Sequence, residues 1–193
     1  MRNKVERMNK LKELGLPVPD FEVVKNPDEI RWTDKKNEYC GWVIRGSADK
    51  ERGFSMNCYA LYVPKNEVKK KLDELIKKYG NKEVSYIIYA AWKMKKGGNL
   101  MILKDKIILE AVNGIFEPNK TPELHMVFMK RENGLPVLQK VVGNKDLLSH
   151  KELLEVLELY RKAKINNVVF EWSFNDRGKF GVWDIIPIDI KDE

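Results

Sequence analysis

The sequence is poor in the residues that most often announce chemistry. Of its 193 residues only two are cysteine, Cys40 and Cys58, in no CxxC spacing. That argues against a zinc site or a disulfide scaffold and for reduced, cytoplasmic residence. Only two are histidine, His125 and His150. Neither has a Ser or Cys partner in a recognised catalytic arrangement, so triad hydrolysis is not expected. No GxxxxGK(S/T) and no GxGxxG occurs, so a nucleotide, if bound, is held in another way. Hydrophobic runs are short: the longest nearly apolar stretch, Val84 to Trp92, is far too short to span a bilayer. The N-terminus is charged and has no apolar segment of the kind that directs export. Glutamine occurs once, at Gln139, beside abundant Lys and Glu, a bias compatible with a heat-adapted or AT-rich source.

What is present describes a soluble globular chain. Hydrophobic residues at 43% and aromatics at 10% argue against disorder, and charged residues at 34% against an integral membrane protein. The length suits one compact unit of two lobes, at about residues 1–83 and 84–193. Thirty-six basic against 29 acidic residues give a net charge of +7, which attracts anions such as nucleic acid, nucleotides or phosphorylated substrates. Most of the excess is Lys in short runs mixed with Glu, the usual composition of solvated helix faces.

Periodicity predicts a helix from Lys4 to Leu14, closed by Gly15 and followed by Pro17 and Pro19, then an extended run from Phe21 to Val24. A short helical piece is expected at Pro27, and strands at Gly41 to Gly46 and Asn57 to Val63. Pro64 opens a helix whose apolar face is Val68, Leu72, Leu75, Ile76 and Tyr79, and Gly80 stops it. Strand-like segments follow at Val84–Trp92, Leu100–Leu103, Lys106–Val112, Leu124–Lys130 and Pro136–Val142, with turns at Gly97-Gly98, Lys104-Asp105 and Asn133-Gly134. Ser149 and Glu152 have the form of a capping box for a helix to about Ala163. A hairpin through the NDRG turn joins Val168–Phe174 to Lys179–Ile188. Hairpins mixed with helices give an α+β class without regular βαβ alternation.

Four segments carry a resemblance. LGLPVPDFEVV (residues 14–24), VIRGSADKE (43–51), GIFE (114–117) and FEWSFNDRGKFGVWDIIP (170–187) resemble, in the same order, motifs of the ATP-grasp nucleotide-binding domain shared by phosphoenolpyruvate synthase and pyruvate phosphate dikinase. The resemblance implies a two-lobed ATP-grasp-like α+β fold with mixed, largely antiparallel sheets and a few flanking helices, with ATP and Mg²⁺ as cofactors. It implies that Arg45, and Lys4 at the family's lysine position, contact ATP phosphates, that Glu117 takes part in nucleotide binding, and that Glu171 serves metal and nucleotide. At Asp184 and Ile186 the family has Gln and Arg, at Val169 often Asp, and the glycines that frame its lysine are Asn3 and Val5 here.

Charge and geometry bear on the same residues. Glu171 and Asp184 lie on the two arms of one predicted hairpin whose NDRG turn is nearly midway, so their side chains could approach across the sheet. Paired carboxylates repel unless a cation lies between them, and Mg²⁺ with nucleotide phosphates suits such a pair. Arg45, expected at a strand end, offers a planar fork to two phosphate oxygens and Lys4 a point charge. Each has a plainer reading: Glu171 and Asp184 as solvent-facing hairpin residues, Arg45 paired with Asp49 or Glu51, Lys4 at a frayed terminus, and Gly97-Gly98 as an ordinary turn or a phosphate-covering hairpin. Trp42, Trp92, Trp172 and Trp183 read as packing residues.

Two functional classes follow. One is an ATP-dependent phosphotransferase or ligase, with Arg45 and Glu171 as catalytic residues, and with a separate phosphohistidine-type protein or a small molecule as acceptor. The alternative is a non-catalytic relative that binds nucleic acid or a protein through its basic surface; nucleic acid is the less favoured partner, and no membrane partner is expected.

Overall fold

A computed structural model describes residues 3–32, 40–48, 58–117, 120–131 and 135–188. It has the α+β architecture expected from the sequence, with two antiparallel sheets and, among these residues, the helices Lys4–Glu13 (α1), Val68–Tyr79 (α2) and His150–Ala163 (α3). The chain divides into two compact units, residues 1–9 with 19–93, and residues 10–18 with 94–193. No helix among the described residues is long and apolar enough to cross a membrane.

In the first unit, strands Phe21–Val24 (β1), Trp42–Ala48 (β2), Tyr59–Val63 (β3) and Val84–Ala90 (β4) form a sheet in the order β1-β4-β2-β3. One face presents Ile44, Ala60, Tyr86 and Ile88 to Val68, Leu72 and Leu75 of α2. Those three recur on one stripe of the helix, and burying that stripe is what holds a 12-residue helix in place. Gly80, at φ 81°, ends α2 in a conformation that glycine adopts without steric cost. The Tyr86 hydroxyl lies 2.7 Å from the Gly80 carbonyl oxygen, fastening the helix end to β4. On the opposite face, Val23, Ile87, Arg45 and Tyr59 stand in one row across the four strands.

The second unit is built on a six-stranded sheet: Met94–Ile102 (β5), Lys106–Asn113 (β6), Leu124–Lys130 (β7), Pro136–Gly143 (β8), Val168–Asn175 (β9) and Phe180–Pro187 (β10), ordered β10-β9-β5-β6-β7-β8. Period-two alternation decides which face is buried. Leu100, Leu109, Met126, Phe170 and Phe174 enter a core with Val156 and Leu159 of α3 and with Leu11 and Leu16. The intervening residues of the same strands form the other face. The capping box of α3 is present, with Ser149 Oγ accepting from the Glu152 N–H and the Glu152 carboxylate accepting from the Ser149 N–H. Lys96 donates to both Glu152 oxygens at 2.9 and 2.7 Å, so the helix start is tied to β5 by an ion pair whose side chains are only 16% and 18% exposed.

Two local expectations need correction. Gly97 and Gly98 are no turn and no phosphate-covering hairpin; both lie inside β5, which runs unbroken from Met94 to Ile102. They are there for space: a Cβ on Gly98 would stand 2.0 Å from the Glu110 carbonyl oxygen and 2.6 Å from the Trp172 ring. Arg45 is in the middle of β2, not at a strand end. The four tryptophans named above are packing residues as expected, each 9% exposed or less. Asp49, Glu51, Asn57 and the Asn133-Gly134 turn lie outside the described residues.

Candidate functional site

The terminal hairpin sets the centre of the site. Asn175 shapes its turn by accepting from the Arg177 and Lys179 N–H groups at 3.0 and 2.8 Å, and Gly178 takes φ 74°. Beyond the turn the pairing is Val182 with Trp172, then Asp184 with Glu171, so Trp183 is the extra residue of a β-bulge. Val182 and Asp184 would share a face in a regular strand. The bulge turns Asp184 to the face of Glu171 and away from the core into which Val182 packs. Trp183 is fixed by donating its indole N–H to Ser173 Oγ at 2.6 Å. Asp184 is 1% exposed and accepts from the Ile185 N–H at 2.9 Å, and Glu171 is half-buried.

Register extends this pair into a row. Glu171 pairs with Asn99 on β5, Asn99 with Glu110 on β6, Glu110 with His125 on β7, and His125 with Val142 on β8. Directly opposed residues share a face, so Asp184, Glu171, Asn99, Glu110 and His125 lie side by side on the face away from α3. The His125 Nδ1 and Glu110 Oε1 atoms are 3.3 Å apart. On one side of this row the same face is apolar, with Ile186, Val169, Met101, Ile108 and Val127, and on the other side are Ser173, Gly97 and Val112.

Two acidic groups and an amide oxygen in sequence are a hard-oxygen donor set. No group of three or more His, Cys, Asp or Glu able to hold a metal occurs among the described residues. Two carboxylates are within the number that Mg²⁺ commonly takes, with water and phosphate oxygens completing its shell.

In the first unit, Lys4 is 2% exposed, which removes the frayed-terminus reading. The Val5 N–H donates to Ser47 Oγ at 3.3 Å and the Glu6 N–H to Asn3 Oδ1 at 3.0 Å, so α1 begins against the face of β2 that carries Arg45. The Arg45 Nε is buried with no hydrogen-bond partner, an orphaned donor beside a surface where an anion would satisfy it. Arg7, also buried, lies one turn beyond Lys4 on the same helix. Glu117 is exposed in the chain after β6, beyond Gly114 and Phe116, whose backbone lies close to Gly97 of β5. The structure thus brings Glu171 and Asp184 together in the second unit and sets Lys4 and Arg45 against one strand of the first. It adds Ser47, Asn99 and Glu110, which the sequence reading did not name, and His125, which it named only to set triad hydrolysis aside; alternation in β6 and β7 was the available signal.

No protein-family model and no curated protein matches the chain by sequence. Solved structures do match. N5-carboxyaminoimidazole synthetase from Staphylococcus aureus, complexed with ADP, superposes at a TM-score of 0.59 and 12% identity, over 97% of this chain and 44% of that one. The macrocyclase MdnC from Microcystis aeruginosa, bound with its precursor peptide, gives 0.54 and 15%, over 97% and 53%. The ATP-grasp ligase PsnB, complexed with a minimal precursor, gives 0.51 and 10%, over 94% and 50%. The chain has the ATP-grasp fold. It spans about half the length of these ATP-grasp structures, none of which is a phosphoenolpyruvate synthase or a pyruvate phosphate dikinase, so the narrower resemblance read from the sequence is not indicated within the fold.

Proposed function

We propose that the chain binds ATP with Mg²⁺ and transfers the γ-phosphoryl group to a separate acceptor. The observation that carries this reading is the bulge that places Asp184 opposite Glu171 on the face of the second sheet away from α3, in a fold whose solved examples include one complexed with ADP. Glu171 and Asp184 would hold the magnesium, which lowers the repulsion among phosphate oxygens during transfer. Arg45, with its unsatisfied Nε, and Lys4 would take phosphate oxygens, and Glu117 would contact the nucleotide. The Arg is suited to two oxygens at once and the Lys to one.

Equilibrium titration tests the reading. Mg-dependent ATP binding is expected, weakened about tenfold or more by Arg45→Ala and by Glu171→Ala, as for loss of a charge-assisted contact worth roughly 1.5–3 kcal/mol. No binding at millimolar ATP would overturn it. The +7 charge supports a second reading, nucleic-acid binding; a steep fall of RNA or DNA affinity with salt, without any nucleotide requirement, would favour that instead.

A further inference from the structure

The His125–Glu110 pair has no task in the nucleotide scheme above, yet it stands in the same row as the carboxylates that scheme uses. The pair is part-buried, its side chains 33% and 30% exposed. Among the described residues Glu110 is the only polar group bonded to the imidazole. A carboxylate only accepts, so Nδ1 must be the donor in this contact. In the neutral ring that leaves the lone pair on Nε2, which is how a carboxylate fixes a histidine as a base.

Position agrees with that role. From β9 to β7 there are three strand spacings, through Asn99 on β5 and Glu110 on β6, roughly 14 Å between backbones at about 4.8 Å each. A metal, a phosphoryl group and a small acceptor, with reacting atoms roughly 3–3.5 Å apart, fill such an interval. The neighbouring row of Val169, Met101, Ile108 and Val127 gives the acceptor an apolar floor.

We infer that His125, held by Glu110, is the base that serves the phosphoryl acceptor, and that the acceptor is a nucleophile bearing a proton, a hydroxyl or an amine. The acceptor oxygen or nitrogen attacks the γ-phosphorus. Its new bond to phosphorus forms as the bond to the β,γ-bridging oxygen breaks, the electron pair leaves on ADP, and the acceptor's proton passes to His125 Nε2. A carboxylate acceptor, already deprotonated, needs no such base. The inference rests on the proposed ATP reading and narrows it to an acceptor class.

The test uses the full chain with Mg-ATP, following ADP release with water as the smallest hydroxyl acceptor, then with glycerol or methylamine added. The variants are His125→Gln, His125→Gly and Glu110→Gln, with His150→Ala as control. For His125→Gln the expected result is a fall in ADP release of about 10²-fold or more, with ATP affinity and melting temperature unchanged. Free imidazole should restore part of the rate in His125→Gly, which a merely structural role would not allow. Glu110→Gln should give a smaller fall and His150→Ala none. Acceleration by glycerol marks a hydroxyl acceptor and by methylamine an amine. An undiminished rate in His125→Gln, or wild-type protein that binds ATP but releases ADP no faster than Glu171→Ala, overturns the inference and leaves ATP binding standing. Absence of ATP binding in the wild type overturns the nucleotide reading itself.

Discussion

Single residues decide how closely the strands of the second sheet can pack. Gly98 and Gly114 are both glycine for different reasons, and substitution separates them. Gly98→Ala would drive a methyl into the Glu110 carbonyl and the Trp172 ring, so backbone must move, at about 1–3 kcal/mol for overpacking. Gly114→Ala meets no heavy atom within 4 Å but keeps φ at 79°, costing roughly 1–2 kcal/mol of left-handed strain. Urea unfolding of both variants checks this: relief by lengthening or shortening the 113–117 loop is expected for Gly114→Ala alone. The role of Gly98 could not be read from the Gly97-Gly98 pair, because a turn glycine and a packing glycine look the same until the partner strands are in place.

At the scale of elements, α3 shows most directly how the sequence writes structure. Ser149 and Glu152 mark its start, and replacing Ser149 by Ala should cost about 1 kcal/mol. Glu152 has a second task that spacing does not reveal, the ion pair with Lys96, 56 positions earlier in the chain. Burial pushes its carboxyl pKa up, and hydrogen bonds from Lys96 and Ser149 more than offset this, so the pKa stands below the usual value. A carboxyl whose folded pKa is depressed adds stability above its unfolded pKa and loses it as pH falls through the folded one. Wild-type protein should therefore be more stable than Glu152→Gln near neutrality, with the gap narrowing below about pH 4, the ordinary Glu range. Thermal melting across pH reads the difference, and a gap independent of pH would refute the assignment. The terminal hairpin follows the same pattern: its turn was legible in NDRG, while the bulge at Trp183 was not, since it depends on which residues of β10 the rest of the sheet buries.

At the scale of the whole molecule, ligand binding and stability are linked. If Mg-ATP binds the folded chain alone, saturation at 100 times the dissociation constant adds about 2.7 kcal/mol, and for a chain of this size the melting temperature should rise by roughly 5–10 °C. The rise should need magnesium and should shrink in Glu171→Ala; an equal shift without magnesium would argue against the carboxylate site. The net charge of +7 raises the local concentration of any polyanion, so the melting experiment is best read at more than one ionic strength.

The sequence by itself determined the α+β class, the three helices with their caps and stops, most strand positions and the placement of Glu171 and Asp184 on the two arms of one hairpin, but not their direct pairing, which came from the bulge. These follow from local rules of periodicity, capping and turn chemistry, which act over a few residues. Only tertiary structure decided that Arg45 is mid-strand with an orphaned Nε, that Gly97 and Gly98 are inside a strand, and that Asn99, Glu110 and His125 complete one row with the carboxylates. Register between strands distant in sequence is set by burying one face of every strand at once, and the row exists only after that common choice has been made.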